Sequence, residues 1–214
     1  MENNMAIDIM KEEPFASAIS TLQKTSLNKP TSDDKFYMTE SLMPVVNFDH
    51  VVDAYAKKYH VHPFPASNDA LLQVDDMFFF VEFKDGKMSN GLIHELKRKN
   101  FESLLIFLDL MHETLSFARQ HVKYVLVYNG EKSKDYIAKC EQNAATKLEK
   151  SEYVSSPSYL KIMGCVGHKA KTNPDIFGLR KQFEGIYFKE MYFYSKEDFF
   201  PESLFANQQK KEQA

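Results

Sequence analysis

The sequence predicts an α/β protein in which helices flank a mixed β-sheet core. Three observations support this fold class. The stretch Met77 to Lys84 is aromatic and β-branched, which is the composition of a buried strand. A long helical pattern follows from Leu92 to Gln120, and a second apolar run follows that helix from Val122 to Asn129. Because a strand, a crossover helix and another strand most easily form a right-handed parallel unit, we expect these two strands to lie parallel.

The composition is that of one ordinary soluble domain, with 214 residues, 43% hydrophobic and 27% charged. A net charge of −3 argues against nucleic-acid binding through a uniformly basic surface, although a local groove rich in lysine is compatible with it. Cys140 and Cys165 do not make a disulfide framework, so we expect a reducing, cytoplasmic location. No stretch has the pattern of a signal peptide or the roughly 18 apolar residues of a membrane span, so we expect no membrane partner.

We divide the chain into three parts. Residues 1–35 are predicted to be a poorly ordered or accessory segment, because they are rich in polar residues and contain Pro14 and Pro30. A short helix is compatible with the apolar spacing from Pro14 to Leu22. Residues 36–206 are predicted to form a single α/β domain, and residues 207–214 a flexible tail.

The first firm helix is predicted from Val45 to Tyr59, with Asn47 as its N-cap. Apolar residues recur there at helical spacing. His60 and His62 follow the helix and could share a metal ion, but polar residues at the end of a helix are the commoner explanation. Asp49 and Asp53 are acidic residues on this helix to which we assign no role.

A β-hairpin is predicted between this helix and the next. Its strands are Ala70 to Val74 and Met77 to Lys84, and Asp75-Asp76 forms the tight turn. A two-residue turn sets Val74 opposite Met77, and pairing continues outward from there. The register matters because a slip of one residue would reverse the faces of the strand.

Charged residues lie at the open end of this hairpin. Continued pairing places Asp69 opposite Glu82, where directly opposed Cβ atoms are about 4.5–5.5 Å apart on one face. Lys84 is two residues beyond Glu82 and leaves the same face. Two neighbouring carboxylates repel each other, so a divalent cation between them would explain the arrangement.

An aspartate, a short hairpin and a Glu-x-Lys triplet in an apolar strand resemble the PD-(D/E)xK nuclease superfamily. The matching residues are Asp69, Glu82 and Lys84, and Asn68 stands where the superfamily usually has a proline. The resemblance covers approximately residues 51–129. It implies a restriction-endonuclease-like fold.

The resemblance also implies a function, which is metal-dependent hydrolysis of phosphodiester bonds in nucleic acid, with DNA as the expected substrate. Asp69, Glu82 and the backbone carbonyl of Phe83 would bind Mg²⁺ or Mn²⁺. Lys84 would orient or help deprotonate the attacking water and offset negative charge at phosphorus. The alternative is a buried Glu82–Lys84 ion pair in a catalytically inactive nuclease-like fold that binds nucleic acid or protein. A protein partner or a homodimer is compatible with either hypothesis.

Four further lysines are candidates for contact with nucleic acid. Lys97 and Lys99 lie in the first turns of the long predicted helix, where a solvated helical face is the alternative. Lys169 and Lys171 lie in the stretch from Pro157 to Asn173, where a plain surface loop is the alternative.

The remaining motifs predict structure more than chemistry. His112-Glu113 lacks the second histidine of a zincin motif, because position 116 is serine. Cys165 and His168 have no second cysteine–histidine group near them in the sequence. The other predicted elements are a charged helix from Glu131 to Tyr153, a short helix from Ile176 to Phe183, an edge strand from Gly185 to Tyr194 and a final short helix capped by Ser195.

Overall fold

A six-stranded mixed sheet organises the computed structural model, which describes residues 8–28, 36–149 and 177–205, and the side chains of all of these except 141 and 143–149. In spatial order the strands are β1 (Ile19–Thr21), β4 (Pro44–Asn47), β5 (Ala70–Val74), β6 (Met77–Lys84), β7 (Val122–Tyr128) and β8 (Glu190–Ser195). Two short strands, β2 (Leu27–Asn28) and β3 (Phe36–Tyr37), form a separate antiparallel pair.

The sheet is antiparallel on one side and parallel on the other. Strand β4 pairs antiparallel with both β1 and β5, and β5 pairs antiparallel with β6. Strands β6, β7 and β8 are parallel to one another. The predicted α/β class with a mixed sheet flanked by helices is therefore confirmed, as is the parallel crossover from β6 to β7.

The helices differ greatly in length. Their bounds are α1 (Leu22–Thr25), α2 (Phe48–Tyr59), α3 (Asn90–Leu110), α4 (Leu115–His121), α5 (Gly130–Glu149) and α6 (Arg180–Phe183). Short 3-10 turns occur at Ile9–Lys11 and Ala16–Ala18, and a final helical turn covers 201–205.

The hairpin has the predicted register. Val74 pairs with Met77, and the last ladder pair is Ala70 with Val81. Asp75 begins the two-residue turn with φ of 53°, in the left-handed region. Alternate residues of β6 therefore face opposite sides of the sheet, which places Glu82 on the same side as Phe78 and Phe80.

Each face of the sheet has its own core. On the Glu82 side, buried residues from α2, α3 and α4 pack against the sheet together with residues from the beginning of the chain and from 177–188. On the other side the covering residues come from 22–28, 36–43 and 199–205, and include Leu22, Met38, Phe199 and Phe205. Helix α3 therefore lies over the face on which the hairpin presents its charged residues.

The first predicted helix begins at Phe48, three residues after the predicted start at Val45. Val45 and Val46 belong to β4, where they pair with β1 and point to opposite cores of the molecule. These β-branched residues are fully buried in the sheet, and this outweighs the helical spacing that they share with α2. Asn47 is the N-cap as predicted, since its side chain accepts a hydrogen bond from the His50 amide at 3.4 Å.

The helix predicted from Leu92 to Gln120 is two helices. Helix α3 ends at Leu110, and His112 has φ of 54°, which interrupts the helical ladder before α4. The apolar pattern did not reveal this break, because Leu115 fits the helical spacing although it is 39% exposed.

Other boundaries also differ from the predictions. The stretch Pro14 to Leu22 forms a 3-10 turn followed by β1, not a helix. Within the described part of the chain β8 is at the edge of the sheet, as predicted, but the strand begins at Glu190 and the short helix before it begins at Arg180. Ser195 does not cap the final helix, which begins only at 201. Instead it caps a turn, in which its hydroxyl accepts a hydrogen bond from the Asp198 amide at 3.2 Å. The stretch Pro157 to Asn173 lies outside the described residues.

Side chains cover part of the outer edge of β8. Met191 donates its amide hydrogen to Glu184 at 3.0 Å and accepts a hydrogen bond from Arg180 at 2.7 Å. These contacts occupy backbone groups that a further strand would need, as is common at sheet edges.

Candidate active site

The hairpin and α3 bring four charged side chains together on one face of the sheet. Asp69 immediately precedes β5, Glu82 and Lys84 lie on β6, and Lys99 lies on α3. Backbone pairing stops at Ala70 and Val81, so Asp69 and Glu82 lie one step beyond the last ladder pair. The amide of Phe48, at the start of α2, donates to the Asp69 carbonyl at 3.2 Å and holds this end of the hairpin.

Just beyond the last β5–β6 pair, the Asp69 side chain accepts a hydrogen bond that a backbone carbonyl would accept in a longer pairing. Its Oδ2 accepts a hydrogen bond from the Phe83 amide at 2.6 Å. Because the N–H and C=O of one strand residue point to the same side of an antiparallel strand, the Phe83 carbonyl faces the side of β6 on which Asp69 lies. The local backbone thus directs one carboxylate and one carbonyl oxygen to the same edge.

Glu82 is the most deeply buried charged group, with 0% of its surface exposed. Its Oε1 accepts from Lys99 at 2.7 Å and from Lys84 at 2.9 Å. Its Oε2 is buried and has no hydrogen-bond partner among the described residues. A buried carboxylate needs partners such as Lys84 and Lys99, because an unpaired buried charge is strongly destabilising.

The two lysines have different surroundings. The Nζ atom of Lys99 lies 3.4 Å from Asp69 Oδ1 as well as 2.7 Å from Glu82, so it bridges the two carboxylates. The Nζ atom of Lys84 is 3.1 Å from Glu95, on the outer side of the site. The side chains of Lys84 and Lys99 are 17% and 15% exposed, so both ammonium groups lie at the boundary between core and solvent.

The link before β5 is fastened to the neighbouring helices. Ser67 donates to Asp49 on α2, and the amide of Ala66 donates to Glu102 on α3. The amide of Asn68 donates to Ser103 Oγ at 2.8 Å. Three consecutive residues are therefore anchored just before Asp69, which fixes the position of its backbone.

Burial and charge perturb the acid–base behaviour of Asp69. Burial, and next the nearby charge of Glu82, raise the pKa of Asp69 to about 7, although Lys99 and the Phe83 amide oppose the rise. Asp69 is thus an acid whose ionisation is sensitive to near-neutral pH. Perturbed pKa values of this kind are concentrated at functional sites.

The carboxylates keep both lysines charged. Burial alone would lower the pKa of Lys84 and of Lys99, but the charges of Glu82 and Asp69 outweigh it and raise both pKa values. When Asp69 is ionised, the charges of the two carboxylates therefore balance those of the two ammonium groups.

A buried polar layer lies behind this cluster. Tyr124 on β7 is fully buried, and burial, followed by the charges of Glu82 and Asp69, raises the pKa of its hydroxyl well above the usual value. Asn100, the residue after Lys99, is also fully buried. Tyr124 is therefore held neutral, so it adds no charge to the site.

The site offers oxygen donors of the kind that Mg²⁺ accepts. No group of three or more His, Cys, Asp or Glu side chains able to hold a metal occurs within 8–28, 36–149 and 177–205. Mg²⁺, however, is usually bound by only one or two carboxylates and retains several waters. Asp69, Glu82 and the carbonyl of Phe83 would supply such a set, and the buried Oε2 of Glu82 is an oxygen with free acceptor capacity.

The structure brings Asp69, Glu82, Lys84 and Lys99 together, as the spacing in the sequence predicted for the first three. Lys97 is on the same helix but forms no ion pair within the described part of the chain. Lys169 and Lys171 lie outside the described residues, so the structure does not place them.

Three acidic residues around the site had no predicted role. Glu95 pairs with Lys84, Glu102 holds the link before β5, and Asp49 holds Ser67 and contributes to the raised pKa of Lys99. Spacing in the sequence could have indicated Glu95 and Glu102. Residues four before and three after Lys99 lie on the same face of the helix as Lys99.

Comparison of the chain with protein-family models, curated proteins and solved structures finds no match to any of them. Among the described residues, no helix is long and apolar enough to cross a membrane.

Proposed function

We propose that this protein is a metal-dependent nuclease that hydrolyses phosphodiester bonds, with DNA as its substrate, and that its sheet is of the restriction-endonuclease-like type. The observation that carries the proposal is the convergence of Asp69, Glu82 and Lys84 on one sheet face at the open end of the hairpin. The order of helix, hairpin, crossover helix and parallel strand gives further support.

The proposal gives each site residue the role that the resemblance to the nuclease superfamily implies. Asp69, Glu82 and the Phe83 carbonyl would hold Mg²⁺ or Mn²⁺. The bound metal would supply Lewis-acid activation of water and of the phosphoryl oxygens. Lys84 lies at the solvent boundary, anchored between Glu82 and Glu95, where its ammonium can orient a water and offset negative charge on a phosphate.

The decisive experiment combines calorimetric titration with Mg²⁺ or Mn²⁺ and a plasmid-nicking assay on the wild type, Glu82→Ala and Glu82→Gln. We expect metal binding and nicking in the wild type, and a loss of nicking of at least about 100-fold in both variants, because a metal ligand is removed. Glu82→Gln preserves side-chain volume and so separates loss of the ligand from loss of packing. Glu131→Ala, an exposed acid at the start of α5, is the matched control.

Absence of metal binding and nicking in the wild type would refute the proposal. The second candidate is an inactive fold that binds nucleic acid or protein. The observation that favours it is that two lysines already neutralise the two carboxylates. Nucleic-acid binding should then weaken steeply with salt, because phosphate contacts release counterions, whereas a protein-binding module would show no such dependence.

A further inference from the structure

The ammonium of Lys99 occupies the space between the two carboxylates. It lies 2.7 Å from Glu82 Oε1 and 3.4 Å from Asp69 Oδ1, and these are its ion-pair partners among the described residues. A divalent cation shared by the same two carboxylates, even if it used Glu82 Oε2, would lie close to the Lys99 ammonium. A divalent cation and the Lys99 ammonium held between the same two carboxylates would repel each other strongly.

Lys84 is held differently, although it also contacts Glu82. Its Nζ atom has a second carboxylate partner in Glu95, outside the space between Asp69 and Glu82. Lys84 therefore keeps an anion partner if Glu82 turns toward a metal. Lys99 loses both of its partners, so it is the group whose position conflicts with metal binding.

We propose that Lys99 is the resident counter-cation of the Asp69–Glu82 pair, and that a divalent metal binds there by displacing the Lys99 ammonium. This inference rests on the proposed metal site and concerns its regulation. Lys99 sets the affinity of the site for the metal, so that the site is occupied only when the free metal concentration is high enough to compete with a tethered ammonium.

The surroundings of α3 offer the displaced ammonium new partners. Glu95 is four residues before Lys99 and Glu102 is three residues after it, both within reach on one helical face. The flexible four-carbon stem of lysine allows such a movement without a backbone change.

The test is the dissociation constant for Mg²⁺, measured by calorimetry at pH 8 for every variant. The variants are Lys99→Met, Lys99→Arg and Lys97→Met, with thermal unfolding of each as a check on folding. Lys97→Met removes the same charge from the same helix, but Lys97 forms no ion pair in the described ranges. We expect Lys99→Met to bind Mg²⁺ at least about 10-fold more tightly than the wild type, and Lys97→Met to differ by less than about 2-fold.

The variants separate charge from packing. Lys99→Arg keeps the cation and should bind Mg²⁺ no more tightly than the wild type. The inference is overturned if Lys99→Met binds no more tightly than Lys97→Met, or if Lys99→Arg gains as much affinity as Lys99→Met.

The same titrations distinguish this inference from the proposed function. Binding by the wild type without any gain in Lys99→Met would overturn the role of Lys99 and leave the nuclease proposal intact. Binding by Lys99→Met alone would support the role of Lys99 and count against an active wild type. If no variant binds Mg²⁺, both proposals fail.

Discussion

Asp69 places a carboxyl group where its charged form is disfavoured. Burial and the charge of Glu82 raise its pKa to about 7, against about 3.9 for an unperturbed aspartate in the unfolded chain. Between these two values the folded protein binds a proton that the unfolded chain has released. Stability contributed by this residue is therefore fully present below about pH 4 and is lost as the pH rises to about 7.

The first prediction follows from this loss of stability with rising pH. Asp69→Asn should raise the melting temperature at pH 8 by roughly 3–10 °C, because it removes a buried charge and keeps an oxygen that can accept from Phe83. The gain should disappear at pH 4, where Asp69 itself is protonated. Thermal unfolding at the two pH values measures the effect.

Asp135→Asn is the control, because that side chain is 78% exposed. A gain of equal size at pH 4 and pH 8 would show that ionisation of Asp69 is not its source. A loss at pH 8 would show that the charge of Asp69 stabilises the fold.

The site residues differ in how readily sequence reveals them. Asp69, Glu82 and Lys84 follow from a two-residue turn and strand alternation, which are local rules. The position of Lys99 depends on how α3 lies over the sheet, and nothing local determines this. From the sequence, Lys97 and Lys99 were equal candidates in the first turns of the helix, yet the contacts with Glu82 and Asp69 select Lys99.

The hairpin is the element that aligns the site, and its turn is its most constrained point. Asp75 has φ of 53°, a conformation that costs most residues about 1 kcal/mol or more, whereas Asp tolerates it better than residues without a short polar side chain. Asp76, beside it, has no such backbone requirement.

The second prediction compares these neighbours. Asp75→Ala should lower the free energy of unfolding by about 1 kcal/mol, and Asp75→Gly should leave it equal or higher, because glycine accepts positive φ. Asp76→Ala, which loses only a surface contact with His121 at 3.3 Å, should change it by less than about 0.5 kcal/mol. Urea unfolding of the three variants provides the comparison, and equal losses for the two alanine variants would contradict it.

Element types were more predictable than element ends. Strands β6 and β7 have the aromatic and β-branched compositions that favour a strand. The residues of β4 share a helical period with α2, and only pairing with β1 and β5 assigns them to the sheet. The break at His112 is likewise a backbone conformation that no neighbouring glycine or proline announces.

At the scale of the whole molecule, the beginning of the chain covers both faces of the sheet. Ile9, Phe15 and Ala18 are buried in the core on the α3 side. Strand β1 then joins the edge of the sheet, and Leu22 is buried in the core on the opposite side. The sequence suggested a poorly ordered or accessory segment because polar residues dominate the composition, and the few apolar residues that pack are spread too thinly to form a pattern.

The third prediction tests this contribution to the core. Phe15 is 1% exposed and packs edge-on against Phe107 of α3, with ring centroids 6.2 Å apart. Phe15→Ala should therefore lower the free energy of unfolding by about 3–5 kcal/mol, measured by urea unfolding. Phe64→Ala is the control, since Phe64 is 42% exposed and should cost less than about 1 kcal/mol. Similar losses in the two variants would show that the first residues do not stabilise the folded molecule.

The hydrogen bond between the Asp69 carboxylate and the Phe83 amide makes the main chain of β6 sensitive to the ionisation of the site. A hydrogen bond to a charged acceptor is stronger than one to a neutral acceptor, so the electronic environment of that amide proton changes when Asp69 gains or loses its proton. The Phe83 amide resonance in a nuclear magnetic resonance spectrum thus acts as a built-in reporter. It registers the charge state of the carboxylate without any attached probe, substrate or bound ion.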